Sequence, residues 1–137
     1  MRDLLTLNWL FRDLLSAEAD SLFALSKVVD LPADAILIEA KKKNDALWVI
    51  GQGRIAIQNL GLDDTWVTVK ELSQGDIVGE MSWLDGHPAS ATTKTLSRAQ
   101  VLRIPFAHFD KFLSAYPDAH IQILRKIAIN LSHRLRG

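Results

Sequence analysis

The stretch ALWVIGQGRIAIQNL, residues 46–60, indicates the fold class of this chain. It contains two runs of apolar and β-branched residues, separated by a short segment that holds two glycines. Runs of this kind are typical of β-strands, and a glycine between two strands can adopt the positive φ that a tight turn requires. The sequence therefore predicts a β-hairpin here, with Gly51 and Gly53 able to take positive φ.

On both sides of this stretch, the chain continues as short segments of the same character. Turn-forming clusters such as LPAD, KKKND, GLDD and SQGD separate them at close intervals. Six to eight short strands at this spacing favour an antiparallel β-roll, or jelly roll (double-stranded β-helix), over a parallel α/β sheet. The predicted strand segments are residues 35–40, 46–53, 54–60, 65–72, 76–81, 91–96 and 99–105.

The hydrophobic period is helical at the two ends of the chain and changes at Pro32 and Pro105. We therefore predict N-terminal helices within residues 1–31, the β-roll within residues 32–104 and two C-terminal helices within residues 105–137. With 137 residues the chain is long enough for one hydrophobic core. Residues 1–137 are predicted to form a single, mainly β domain with flanking helices.

The final predicted helix, which begins at Pro117, carries two apolar strips. Ile123 and Ile127 form one strip, and the other has the spacing of a coiled-coil seam. We expect one strip to face the domain's own core and the seam to form a homodimer, although a single broad buried face is the alternative. The seam residues are Ile121, Leu124, Ala128, Leu131 and Leu135.

Charge and composition argue against several classes of function. The formal net charge is zero, and the basic residues near the C-terminus, from Arg125 to Arg136, are interpreted as a solvated helix face rather than a nucleic-acid or membrane contact. There is no cysteine and no apolar run of membrane-spanning length, so we expect a soluble, cytoplasmic protein.

Catalysis and metal binding are not expected from the sequence. The four histidines contain no close pair that could share a metal ion, and no nucleophile elbow or Walker-type loop is present. The sequence therefore predicts a protein that is not an enzyme and has no metal or other cofactor. The histidines are His87, His108, His120 and His133.

The segment GEMSWLDGHPASATT, residues 79–93, has the chemistry of an anion-binding loop. Gly79 allows close backbone approach, and the N–H groups of Glu80, Met81 and Ser82 begin a short helical turn. Glu80 would not itself contact a phosphate, but its carboxylate could accept hydrogen bonds from hydroxyl groups of the same ligand. The alternative is that Glu80 caps the helical turn or meets an arginine across the roll.

The order of these elements, together with GRIAI (53–57) and QGDIVGEMSWLDGHP (74–88), resembles the cyclic nucleotide-binding domain of catabolite-activator-like regulators and kinase regulatory subunits. The resemblance implies a phosphate-binding cassette at residues 79–92 and cAMP or cGMP as ligand, with Glu80 on the ribose hydroxyls. It also implies that the final helix covers the base, which makes Asn130 and Ser132 candidates for base contacts. The implied cassette residues are Gly79, Glu80, Met81, Ser82, Ala89, Ser90 and Ala91.

The cassette departs from the family pattern at Ala89, where an arginine usually pairs with the cyclic phosphate. A charge-assisted hydrogen bond contributes about 1.5 to 3 kcal/mol, so its loss predicts about ten- to over hundredfold weaker phosphate binding. The nearest residues that could replace the cation are Lys94 and His87. The implied cyclic nucleotide is therefore expected to bind weakly.

These observations predict a non-catalytic regulatory domain with weak or altered binding of cAMP or cGMP. The alternative is a ligand-independent module for protein interaction or dimerisation, or a regulator that acts with a separate effector. Because the sequence stops at Gly137 without a recognition helix, DNA binding by this chain alone is not expected. Trp48, Trp66 and Trp83 are interpreted as packing residues rather than base-stacking platforms.

Overall fold

The structure, a computed structural model, describes all 137 residues and contains eight strands and five helices. The helices are α1 (Asp3–Leu7), α2 (Ser16–Ala24), α3 (Glu80–Asp85), α4 (Phe106–Ala115) and α5 (Pro117–Arg136). The strands are β1 (Lys27–Leu31), β2 (Ile36–Ile38), β3 (Ala46–Gln52), β4 (Ile55–Leu60), β5 (Trp66–Leu72), β6 (Ile77–Val78), β7 (Thr92–Thr95) and β8 (Ala99–Pro105). The predicted order of helices, β-roll and helices is confirmed.

The strands form two four-stranded antiparallel sheets. The first has the order β1-β8-β3-β6 and the second has the order β2-β7-β4-β5. Strands that are neighbours in sequence therefore often lie in different sheets, as expected of a β-roll. The predicted fold class, mainly β with flanking helices, is confirmed.

The predicted hairpin at residues 46–60 is wrong. β3 pairs with β8 and β6, whereas β4 pairs with β5 and β7, so the turn between β3 and β4 carries the chain from one sheet to the other. Gly53 has the expected positive φ of 92°. Gly51 does not; it lies where the register of β3 against β8 shifts, and a Cβ there would approach the Gln100 carbonyl oxygen to 2.5 Å.

The N-terminal helical region is shorter than predicted, because residues 27–31 form strand β1. Helix α2 ends at Ala24, and β1 pairs with β8 from Lys27 opposite Arg103 to Leu31 opposite Ala99. The β-branched pair Val28 and Val29 suits this pairing. The boundary between the N-terminal helices and the β-roll is thus determined by pairing with β8, which lies some seventy residues further along the chain.

The helices pack on one face of the first sheet and create the larger of two hydrophobic clusters. This cluster joins residues of α1, α2, α4 and α5 to β3 and β8, and it includes Phe109, Ile123 and Ile127. The smaller cluster contains apolar residues of both sheets, such as Ile50 and Ile55. Helix α5 is thereby fixed to the domain through its Ile123 and Ile127 strip.

Candidate functional site

The predicted cassette lines a single cavity of ≈ 590 Å³, a volume within the usual range of small-molecule sites. Strands β4, β5, β6 and β7, helix α3 and the last turns of α5 contribute to its walls. In the structure, the predicted cassette residues therefore lie together around one cavity. The cassette residues that line the cavity are Gly79, Glu80, Met81, Ser82, Ala89, Ser90 and Ala91.

Two glycines in left-handed conformation set the bounds of α3. Gly79, with φ of 97°, precedes the helix, and a Cβ at this position would lie 2.6 Å from the Ala46 carbonyl oxygen. Gly86, with φ of 73°, follows the helix and donates its N–H to the Ser82 carbonyl at 2.9 Å. Only glycine at position 79 lets the chain pass this close to β3 and turn directly into the cassette.

Trp83 anchors α3 to α4. Its indole N–H donates to Asp110 Oδ1 at 2.9 Å, and its ring meets the Phe109 ring edge-on with centroids 4.9 Å apart. Trp48 packs against the smaller hydrophobic cluster, and Trp66 lies under the Lys94 ammonium group at 4.7 Å. None of these three tryptophans lines the cavity, and Trp48 and Trp83 pack against the two hydrophobic clusters.

Glu80 places a carboxyl group in the cavity wall. Burial raises its pKa above the usual value, while its own backbone N–H and the positive charges of Arg134 and Lys70 oppose that rise. Its side chain makes no salt bridge and provides no cap for α3, so neither alternative role is seen. The carboxyl is half-buried and makes no side-chain hydrogen bond to another residue, so it keeps the capacity to accept hydrogen bonds from ligand hydroxyls.

Ala89 brings no charge to the cavity that it lines. Its side chain packs against the smaller hydrophobic cluster, and its carbonyl accepts the Lys41 N–H at 2.8 Å. A side chain at position 89 is nevertheless positioned at the cavity, so a longer residue there could reach a ligand.

The two residues predicted to replace the missing cation do not lie at the cavity. Thr93 lines the cavity from β7, and the next residue, Lys94, lies on the other face of the strand because side chains alternate. The Lys94 ammonium is 3.6 Å from Asp34 Oδ1. His87 is exposed, and its backbone N–H donates to Asp85 Oδ1 at 2.8 Å. Both predictions are therefore wrong.

The cations that do line the cavity are Lys70 of β5 and Arg134 of α5, neither of which was predicted as a site residue. Arg134 could have been found, because it follows Asn130 by four residues and so shares its helix face. Lys70 had no such signal, because its face of β5 depends on the strand register. The structure thus places positive charge on a different wall from the one predicted.

Of the two candidate base contacts, only Asn130 lines the cavity. Ser132 is exposed and is not among the lining residues. Two residues correspond to about 200° of rotation around an α-helix, so these side chains cannot share one face. The prediction for Ser132 is wrong.

The seam of α5 is largely, but not entirely, exposed. Ile121 is 67% exposed, Leu135 is 88% exposed, and Leu124 and Ala128 are also exposed. Leu131 differs, because it is partly buried against the larger core cluster. The two strips are therefore separate as predicted, with Leu131 belonging in part to the domain's own core; self-association stays a prediction.

The β-roll and its cassette-lined cavity define a small-molecule-binding domain. The family described as "Cyclic nucleotide-binding domain" matches residues 28–116, which is more than half of the chain. The chain belongs to this family.

Comparisons with individual proteins agree with this assignment. The N-terminal domain of a transcriptional regulator from Streptomyces coelicolor A3(2) is 23% identical with a TM-score of 0.87, covering 98% of this chain and 94% of that chain. The regulatory domain of Toxoplasma gondii PKA, solved with cAMP, is 21% identical with a TM-score of 0.73, covering 81% and 42%. These likenesses concern the fold.

At the sequence level, the chain is similar to a segment of much longer proteins. The neuropathy target esterase sws of Drosophila willistoni is 24% identical over 117 residues, and the match covers 80% of this chain and 8% of the esterase. No helix of the chain is both long enough and apolar enough to cross a membrane.

Proposed function

We propose that this chain is a non-catalytic regulatory domain whose cavity binds cAMP or cGMP weakly, with Glu80 accepting the ribose hydroxyls. One observation carries the proposal: the seven named cassette residues line one cavity, and among them Ala89, which by the resemblance takes the place of the family's phosphate-pairing arginine, brings no charge. The Toxoplasma relative was solved with cAMP, which supports a cyclic nucleotide as the ligand class. We expect this binding to be weak because alanine at position 89 supplies no positive charge to the cyclic phosphate.

Restoring the arginine tests this proposal. Ala89→Arg should add a charge-assisted hydrogen bond and tighten the binding of cAMP or cGMP about ten- to hundredfold, as measured by calorimetric titration. Glu80→Ala in the Ala89→Arg background should weaken binding again. Ala115→Arg is the matched control, because it adds the same charge at an exposed position outside the cavity and should leave affinity unchanged.

Two results would contradict the proposal. Submicromolar binding by the wild-type chain would show that affinity does not depend on the missing arginine. Absence of binding by the Ala89→Arg variant would show that the cavity is not a cyclic nucleotide site.

A second candidate function is a ligand-independent interaction module that dimerises through α5 or acts with a separate effector. The observation that favours it is the exposed apolar strip formed by Ile121, Leu124 and Leu135. A second copy of the chain is the proposed occupant, since the strip has the spacing of a coiled-coil seam.

A further inference from the structure

Two exposed cations line the cavity, and Glu80 is the acid on which their charges act. Lys70 lies on β5 and Arg134 lies in the last turn of α5, and both line the cavity. Neither forms a salt bridge with any acid of the chain. Lysine and arginine side chains only donate hydrogen bonds, so a cavity lined by both is suited to an anionic ligand. The arginine guanidinium group is planar and can donate two parallel hydrogen bonds, whereas the lysine ammonium group is a compact charge.

The strand register places the backbone of Lys70 two strands from β7, the strand into which the cassette continues. Lys70 is opposite Ile57 on β4, and Ile57 is opposite Thr93 on β7, the strand into which the cassette continues. All three residues line the cavity. Because neighbouring strands are about 4.8 Å apart, the backbone of Lys70 lies roughly 10 Å from that of Thr93 across the sheet. Lys70 therefore contributes its positive charge to the cavity from β5, and Arg134 contributes its own from α5.

Three acids also line the cavity, and two of them are engaged in turns. Asp76 Oδ2 accepts the Ser73 N–H at 2.7 Å, and Asp85 Oδ1 accepts the His87 N–H at 2.8 Å. The Glu80 side chain is not engaged in a turn; its carboxyl interacts with its own backbone N–H and with the charges of Arg134 and Lys70. The cavity therefore presents one carboxyl group outside a turn and two cations that form no salt bridge.

We propose that Lys70 and Arg134 form an anion subsite, so that the cavity takes a small phosphomonoester with vicinal hydroxyls. The phosphate would lie at Lys70 and Arg134, and the hydroxyls would lie at Glu80, in which respect the inference rests on the proposed function. A terminal phosphate suits this pair because its three free oxygens can accept from both the arginine fork and the lysine ammonium. Nucleoside monophosphates and sugar phosphates share this chemistry.

Calorimetric titration of the full chain with four probes tests the inference. Adenosine 5′-monophosphate should bind at least about tenfold more tightly than adenosine, which lacks the phosphate, and more tightly than cAMP. Lys70→Gln and Arg134→Gln should each weaken this binding at least about tenfold. The matched controls, Lys43→Gln and Arg125→Gln, remove exposed cations outside the cavity and should leave it unchanged.

The fourth probe, ribose 5-phosphate, distinguishes the two sources of the phosphate. Binding equal to that of adenosine 5′-monophosphate supports a sugar phosphate, and much weaker binding supports a nucleotide. The inference is overturned if neither phosphomonoester binds, or if both cavity variants bind adenosine 5′-monophosphate as the wild type does. Failure of Ala89→Arg to bind cyclic nucleotides would instead overturn only the proposed function.

Discussion

At the scale of single residues, two opposing effects act on the pKa of Glu80: burial raises it, and the nearby positive charges lower it. Burial favours the protonated carboxyl, so the folded chain holds this proton to a higher pH than the unfolded chain does. The stability associated with the neutral form is therefore present below the unfolded pKa and is lost as pH rises through the folded pKa. Above that pH, the ionised Glu80 reduces the stability of the domain.

Glu80→Gln should therefore raise the melting temperature at pH 7 and leave it almost unchanged at pH 4, where the carboxyl is already protonated. Thermal unfolding followed by circular dichroism from pH 4 to pH 8 measures this difference. Glu71→Gln is the control of opposite sign, because hydrogen bonding to Arg54 lowers the pKa of Glu71 and its neutralisation should lower the melting temperature at pH 7. An unchanged or lower melting temperature for Glu80→Gln at pH 7 would contradict the prediction.

At the scale of elements, α5 has two apolar strips with different surroundings. Ile123 and Ile127 are buried in the core, whereas Ile121, Leu124 and Leu135 remain exposed. The core strip is enough to hold the helix on the domain, so the exposed strip is free to contact a second copy. Leu131 is unsuitable for testing this contact, because its partial burial against the core would mix folding with association.

Leu124→Asp should abolish self-association without unfolding the domain. Each buried leucine contributes about 1.5 to 3 kcal/mol, and a symmetric dimer contains two copies, so the dissociation constant should rise more than about 100-fold. Sedimentation velocity at several protein concentrations measures the change. Ile129→Asp is the control, because it replaces an exposed apolar residue of the same helix outside the seam. A wild-type chain that stays monomeric at high concentration would rule out the dimer.

At the scale of the whole molecule, the sequence predicted the order of the elements better than the direction of individual side chains. The changes of hydrophobic period at Pro32 and Pro105 are local signals; the second located the end of the β-roll, whereas the first missed strand β1, which precedes Pro32. Strand β1 depends on distant pairing with β8, and the inward face of Lys70 depends on a register that shifts between Ile57 and Gln58. Such features require the partner strands, so one segment alone could not reveal them.

The cavity, the N-terminal segment and α5 are physically linked. Trp9 lines the cavity, and its carbonyl accepts a hydrogen bond from the Lys126 ammonium group of α5 at 3.2 Å. The same ammonium group lies 2.6 Å from Asp13 Oδ2. We therefore expect a ligand in the cavity to stabilise all three parts together.

Hydrogen exchange of the Ala89→Arg variant with cAMP tests this linkage. At a cAMP concentration of about 100 Kd, the ligand should stabilise the folded chain by about 2.7 kcal/mol, so exchange through global unfolding should slow roughly hundredfold in residues 8–14 and in α5. Adding Lys126→Met should keep the protection of the β-roll but reduce that of α5, because the contacts with Trp9 and Asp13 are lost. Protection confined to α3 and the strands in the Ala89→Arg variant would show that the cavity and α5 respond independently.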